Sequence, residues 1–432
     1  MTRPSIYRSG SAIVILTPPK TAHPDLDPRS RNVERQVFID GSVILQFALT
    51  ANRLWLMTRL LFFMSEDWYF WVHRRSLAIA AVEAGYHVGL VTRVDRYENA
   101  IKELGVDVFP LSRYQRSNLN PFVEFAVLRE VVSIYRKFLP DIAHHEALKP
   151  VIYGPIASRL TGVKGVVNVL VGLGYLFASS SQKARTLRIG VAPVMRLALN
   201  AGNSRVVVQN EGDRQVLLDR GIAEARHMRM IRGTGVDVQR FSPAPEPEGV
   251  PVVMLASRIL WDKGVGEFVA ASRILRNIGY RVRFVLVGVP DSHNPAAISS
   301  ATIEEWVAEG LVEWWGLRED MPQVLAQATI VCLPSYHEGL PKVLLEAAAC
   351  GRPIVATDIP GCRAVARDGE NALIVPLRDA PAVAMAVATL LDDPDMRNRF
   401  ASRGREIVVS ELSDEIVCRQ TLDLYRELLD CR

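Results

Sequence analysis

From residue 59 onward the chain alternates short β-rich runs with helical patterns, breaks at Pro243-Ala-Pro-Glu-Pro247, and then starts the same alternation again. That doubled rhythm limits the fold more than any other feature. Leu60–Met64, His87–Thr92 and Val166–Val171 read as strands, and Arg74–Ala84, closed by Gly85, and Pro121–Phe138 read as helices. After the break, strands are predicted at Val252–Ala256, Arg283–Val287 and Ile330–Leu333, with helices at Gly266–Ile278 and Ile303–Glu309. Strands that alternate with helices are joined by crossovers and lie parallel, so the pattern implies an α/β chain with two parallel, Rossmann-like sheets. The predicted units are a first domain over 57–242, a Pro-rich linker at 243–251, a second domain over 252–412, and a C-terminal helix within 413–432 expected to pack back toward the first domain. At 432 residues the chain exceeds what one core normally serves, which agrees with two domains facing across a cleft.

Residues 1–56 do not share the rhythm. They hold Pro-Pro and Asp-Pro steps and scattered charges, and Met57 opens the first strand-like run, so this segment is expected to be a poorly ordered extension or the product of an upstream start codon. The rest of the composition, 49% hydrophobic and 23% charged, excludes a collagen-like, coiled-coil or disordered chain. The cysteines Cys332, Cys350, Cys362, Cys418 and Cys431 are odd in number and form no Cys-x-x-Cys pair, which argues against a disulfide framework and a zinc site. No apolar run reaches the roughly 20 residues of a membrane span: 43–64 is broken by Arg53 and Arg59, and 166–181 is short and holds Gly172 and Gly174. No signal peptide is evident in the polar first 35 residues, so a cytoplasmic protein, peripheral to a membrane at most, is expected.

The formal net charge of +4 hides two unlike halves: residues 1–56 carry +3, residues 57–240 carry +9 and residues 241–432 carry −8. One half is therefore expected to meet an anionic partner. The chemistry concentrates in the other. A strand ending at Leu333 leads into a polar loop with Glu338 and Gly339, and a helix starts near Pro341. Its first amides point at the carboxyl edge of the sheet, where open α/β folds bind ligands, so a diphosphate is expected there. Arg258 and Lys263 follow the strand Val252–Ala256 and suit a diphosphate that is held and then released as a leaving group. Glu338 in the loop and Glu346 on the helix can serve a sugar hydroxyl and a ribose; taken alone, the two glutamates read more readily as solvated surface, since exposed glutamate is common. In the first half, His73 and Arg74 are placed where the first strand passes into the first helix. His144 is placed just after a strand-like Asp141–Ala143, and Lys149 a turn further on.

These segments together resemble the retaining glycosyltransferases of family 4. The resemblance rests on Glu338 to Gly361, on Arg258 and Lys263, and on Thr234-Gly-Val-Asp-Val-Gln-Arg-Phe-Ser-Pro243. Trp68-Tyr-Phe-Trp-Val-His-Arg74, His144-His-Glu-Ala-Leu-Lys-Pro-Val-Ile-Tyr-Gly154 and Gly172-Leu-Gly-Tyr-Leu-Phe177 resemble the branch that builds capsule, O-antigen and related repeat units. The resemblance spans about residues 59–428 and implies a GT-B fold, with a nucleotide-diphospho-sugar, UDP-linked, on the second domain and the acceptor on the first. It implies that Arg258 and Lys263 neutralise the diphosphate, that Glu338 contacts the donor sugar and stabilises the transition state, and that Glu346 binds the ribose. Gly339 and Leu340 would offer backbone amides, and Gly316-Leu317-Arg318 would cup the base. His144 would be the cleft histidine, with His73, Arg74 and Lys149 on the acceptor side. Neither a metal nor another cofactor is implied.

The implied acceptor is a glycan, carried on a polyprenyl diphosphate. Lys183, Arg185, Arg188, Arg196 and Arg205, interleaved with apolar residues, suit contact of 183–205 with an anionic membrane surface or a solvated helix face equally. Ser65-Glu-Asp67 departs from the glycine-rich acceptor loop of many family members, and Glu370-Asn-Ala372 from the usual Asn-Gly. A sugar-nucleotide epimerase on the same fold and a non-catalytic nucleotide-sugar-binding component of a polysaccharide complex are the alternatives. Nucleic-acid binding finds no motif or aromatic platform.

Overall fold

The computed structural model describes residues 57–115, 118, 120–171, 191–291 and 294–430, and the backbone alone at 5–9, 12–16 and 182–190. Residues 1–56 and 57–432 are separate units. In the first, β1 (Ser5–Ser9) and β2 (Ala12–Leu16) pair antiparallel. The expectation of a poorly ordered extension otherwise falls outside the described residues.

The second unit holds two sheets. Strands β3 (Arg59–Glu66), β4 (His87–Arg93), β5 (Val106–Pro110), β6 (Ile142–Glu146), β7 (Gly165–Leu170), β8 (Ser204–Val208) and β9 (Met228–Met230) run parallel in the order β5-β4-β3-β6-β7-β8-β9. Strands β10 (Val252–Ala256), β11 (Arg283–Val287), β12 (Glu313–Trp314), β13 (Ile330–Leu333), β14 (Ile354–Thr357) and β15 (Ala372–Val375) run parallel in the order β12-β11-β10-β13-β14-β15. In each sheet the chain winds outward on one side of its first strand and then returns to the other. The order thus reverses between β3 and β6, and again between β10 and β13. At such switch points the loops diverge and leave a crevice at the carboxyl edge.

Residue alternation in β3 divides the first core in two. Leu60, Phe62 and Met64 pack with Tyr425 and Leu428 on one face, and Leu61 and Phe63 pack with Tyr135 and Phe138 on the other. Tyr425 and Leu428 belong to the C-terminal helix Asp414–Asp430, which follows the second domain in sequence yet completes the core of the first. Its Val417, Leu422, Leu424, Tyr425 and Leu428 are buried, each worth roughly 1.5–3 kcal/mol of apolar transfer.

Two local expectations change. The helix predicted from Arg74 is preceded by another, Asp67–His73, and the two break at Arg74, which leaves helical geometry at φ −129° and ψ 2°. Strand β6 continues to Glu146 instead of stopping at Ala143. It pairs with β3 and β7 on either side and is buried along its whole length, so ladder pairing carries the polar His144-His-Glu146 through as strand.

Candidate active site

The second switch point brings two loops into contact. Gly264 follows the short turn Trp261–Lys263 at φ 71°, and a Cβ there would lie 2.0 Å from the Pro334 carbonyl oxygen. Only glycine lets the turn after β10 settle onto the end of β13, and this places Lys263 Nζ 2.5 Å from Glu338 Oε1. Both side chains are mostly buried, at 16% and 12% exposure. The loop 334–341 is pinned from several sides. The Tyr336 amide donates to the Asp262 carbonyl, Thr357 Oγ1 donates to the Ser335 carbonyl, and Tyr336 Oη donates to Glu267. Burial, reinforced by Glu267, pushes the Tyr336 phenol up to about 12.

Gly361, after β14, closes the same loop from behind, where a Cβ would meet the Glu338 carbonyl oxygen at 2.3 Å. The helix Lys342–Ala349 then begins, and its first amides precede any intrahelical acceptor. Glu346 lies one turn in, buried, and accepts no hydrogen bond among the described residues; burial holds its carboxyl above the usual range, against the pull of Lys342 and Arg240. Arg258 stands at the rim, its guanidinium on Asp291 at 2.8 Å. Gly316-Leu317-Arg318 follows β12: the Gly316 carbonyl accepts from the Gly288 amide, Leu317 is exposed, and Arg318 forks onto Asp320. The structure thus gathers Arg258, Lys263, Glu338, Gly339, Leu340 and Glu346 along one sheet edge.

The first switch point is built differently. Asp67, fully buried directly after β3, accepts the amides of Asp95, Arg96 and Tyr97 on one oxygen and that of Trp68 on the other. A carboxylate thereby organises a turn where a glycine-rich loop is absent. Arg74 does not stand at the surface. It is buried with its guanidinium on Glu146, whose other oxygen accepts from Tyr69 Oη at 2.8 Å. His144 does not reach the cleft either. Because β6 runs on to Glu146, His144 sits inside the strand at 1% exposure, with Nδ1 2.6 Å from Tyr425 Oη and Nε2 without a hydrogen-bond partner. Burial, then the charge of Arg74, holds it neutral.

Lys149 spends its ammonium on Glu124 and the carbonyls of Gln115 and Asn118, fastening the loop before the helix Pro121–Phe138. Of the residues predicted in the first half, His73 alone meets the opposite domain. Its ring lies tilted against Tyr69, with centroids 4.4 Å apart, and burial, then the neighbouring Lys342, depresses its pKa. Lys342 Nζ donates to the Val72 carbonyl at the end of helix Asp67–His73, and Asn210 Nδ2 donates to the Gly339 carbonyl at 2.7 Å. Sequence reasoning missed Asp67, Glu146, Lys342 and Asn210. Glu146, at the carboxyl end of a central strand, carried the signal that His144 was given.

The basic stretch is only partly at the surface. Arg205 is held by Glu427 and Arg196 by the Gly221 carbonyl, while Val194 and Leu197 are exposed; the side chains of Lys183, Arg185 and Arg188, and the whole of Gly172–Phe177, fall outside the described residues. No helix among the described residues is long and apolar enough to cross a membrane.

Residues 59–210 match the family described as "Glycosyl transferase 4-like" and residues 250–393 the family described as "Glycosyl transferases group 1". The lipopolysaccharide core biosynthesis glycosyltransferase LpsE of Rhizobium meliloti (strain 1021) is 31% identical over 344 residues, covering 77% of this chain and 92% of that protein. The N,N'-diacetylbacillosaminyl-diphospho-undecaprenol alpha-1,3-N-acetylgalactosaminyltransferase of Campylobacter jejuni is 26% identical over 355 residues, covering 79% and 91%. Among solved structures, Anabaena Alr3699/HepE in complex with UDP and glucose superposes with a TM-score of 0.69 at 18% identity, over 85% of this chain and 99% of that one. The epimerase and non-catalytic readings fall away, and the doubly wound pair of sheets is a GT-B fold. This chain belongs to the group 1, family 4 type glycosyltransferases.

Proposed function

We propose that the chain moves a sugar, with retention of anomeric configuration, from a UDP-linked donor to a glycan acceptor carried on a polyprenyl diphosphate, at the cytoplasmic face of a membrane. The observation that carries the reading is the Lys263–Glu338 pair at the second switch point, beside the opening turn of helix Lys342–Ala349 and the buried Glu346 carboxylate, which accepts no hydrogen bond among the described residues. The Campylobacter relative is named for a diphospho-undecaprenol acceptor, and the Anabaena protein of the same fold was solved with UDP; both support the choice of substrates.

In this reading the incoming diphosphate draws Lys263 off Glu338, and Arg258, Lys263 and the helix amides take up the charge of the leaving group. Glu338 then stabilises the positive charge that develops on the sugar. The bond from C1 to the phosphate oxygen breaks as the bond from C1 to the acceptor oxygen forms on the same face, and the acceptor proton passes to the leaving phosphate. We propose that these cations serve where other transferases use a metal, so chelation with EDTA should leave the rate within about twofold. A thermal-shift screen of nucleotide sugars, followed by transfer assays on lipid-linked acceptors with the product anomer read by NMR, tests the reading. No shift with any nucleotide sugar, or an inverted product, would overturn it. Contact with anionic lipid through helix Gln182–Leu199, where Val194 and Leu197 stand exposed, predicts co-sedimentation with anionic but not neutral liposomes.

A further inference from the structure

A cavity of about 560 Å³ opens beside the loop 334–341, and neither Arg258 nor Lys263 is among its lining residues. Its walls come from the carboxyl ends of strands in both sheets. Gln209 follows β8, Met230 ends β9, Arg232 lies two residues beyond it, and Arg363 and Arg367 follow β14. It shares a wall with the donor loop: Pro360 lines it and precedes Gly361, which packs on the Glu338 backbone, and Asn210 lines it while holding the Gly339 carbonyl.

The guanidinium groups of Arg232, Arg363 and Arg367 line the cavity with one carboxylate, Glu211, which is itself held by Arg214 at 2.7 Å; three like charges this close repel one another unless an anion relieves them. The chain supplies a partial remedy. A single oxygen, Glu411 Oε2, takes Arg232 at 2.9 Å and Arg367 at 2.6 Å, joining a cation of the first domain to one of the second. Glu411 lies in the π-helical turn Val408–Leu412, an irregularity frequent at functional sites. Arg363 is paired with Asp358 beside the cavity. Arg232, Arg363 and Glu411 all keep substantial solvent exposure, so these pairs are weak and open to exchange. Guanidinium forks match phosphate oxygens two at a time, and the volume falls within the range of about 300–1,000 Å³ usual for small-ligand sites. The donor's own diphosphate has its cations, Arg258 and Lys263, on the β10 side of the loop. An anion here belongs to the second substrate, and Met230, exposed at the rim, offers an apolar exit.

We propose that this cavity is the subsite for the diphosphate of the polyprenyl-linked acceptor, with Arg363 and the Arg232–Arg367 pair as its cations and Glu411 as the carboxylate that the diphosphate displaces. The inference rests on the acceptor class proposed above, and it fixes where the carrier's charge sits relative to the donor.

Binding, measured without turnover, keeps the two readings apart. The donor site is first saturated with the nucleoside diphosphate that the thermal-shift screen returns, and farnesyl diphosphate, farnesol and inorganic pyrophosphate are then titrated by calorimetry. Farnesyl diphosphate is expected to bind the native protein, to weaken about tenfold to a hundredfold in Arg363→Gln and in the double variant Arg232→Gln/Arg367→Gln, and to tighten in Glu411→Gln. Farnesol should not bind, and pyrophosphate should bind more weakly than its farnesyl ester. Unchanged affinity in the arginine variants would overturn the proposal, as would equal loss of nucleoside diphosphate binding in them. Equal affinity for pyrophosphate and farnesyl diphosphate would overturn the carrier as its source. The Glu411→Gln gain is a readout that a purely structural role would not produce, and it survives failure of an arginine variant to fold.

Discussion

Lys263 Nζ and Glu338 Oε1 lie 2.5 Å apart and tie the loop after β10 to the loop after β13 where the strand order of the second sheet reverses. The pair separates two tasks. Lys263→Ala should cut kcat/KM about a hundredfold to a thousandfold and weaken nucleoside diphosphate binding, because it removes a preorganised cation. Glu338→Gln should lower kcat by a similar factor while nucleotide affinity, read by calorimetry, stays nearly intact.

The Glu346 carboxylate is buried and accepts no hydrogen bond among the described residues, and burial raises its pKa, so its charge opposes folding at neutral pH. Glu346→Gln should therefore raise the thermal midpoint of the free protein while weakening nucleotide binding about tenfold, since a ribose hydroxyl loses an ionised acceptor. A fall in both would show that the carboxylate is structural.

Arg74 and Glu146 are an ion pair inside the first domain. Removing one partner strands a charge, so Glu146→Ala should cost about 3–5 kcal/mol in urea unfolding. The double variant Arg74→Met/Glu146→Leu should recover most of that loss. If the pair serves the acceptor directly, the double variant will be stable and inactive.

His145 is fully buried, with Nδ1 bonded to Asn168 Oδ1 and Nε2 to Tyr135 Oη, and burial lowers its pKa to about 4. The unfolded chain takes up a proton near pH 6.5 and the folded chain does not, so stability is full above that pH and falls as pH drops toward 4. The loss is on the order of 3 kcal/mol. In His145→Gln, the slope of unfolding free energy between pH 7 and pH 4.5 should flatten relative to the native chain.

Elements on the second sheet were legible in the sequence because each answers to a local pattern. Val252–Ala256 and Ile330–Leu333 are uninterrupted apolar runs, Arg283–Val287 is one after its exposed first residue, and the structure keeps their limits unchanged. Glu338 and Glu346 share one loop and the helix that follows it, so their meeting needs little beyond the helix start. The first half resisted the same reading. His144-His-Glu146 looks polar enough to be a loop, and only pairing with β3 and β7 makes it a central strand. Asp67 looks like a surface residue until the turn after β4 brings three backbone amides to one of its oxygens.

The sequence by itself determined the two parallel sheets and singled out the candidate donor-side residues, since periodicity and strand-end chemistry are local properties of the chain. The tertiary structure alone decided that the C-terminal helix completes the first core, that Arg74 and Glu146 neutralise each other, and that Arg232 and Arg367 share Glu411. Each of these joins residues more than forty positions apart. Such contacts arise from burial and charge pairing after the chain has closed on itself, and no local pattern encodes them.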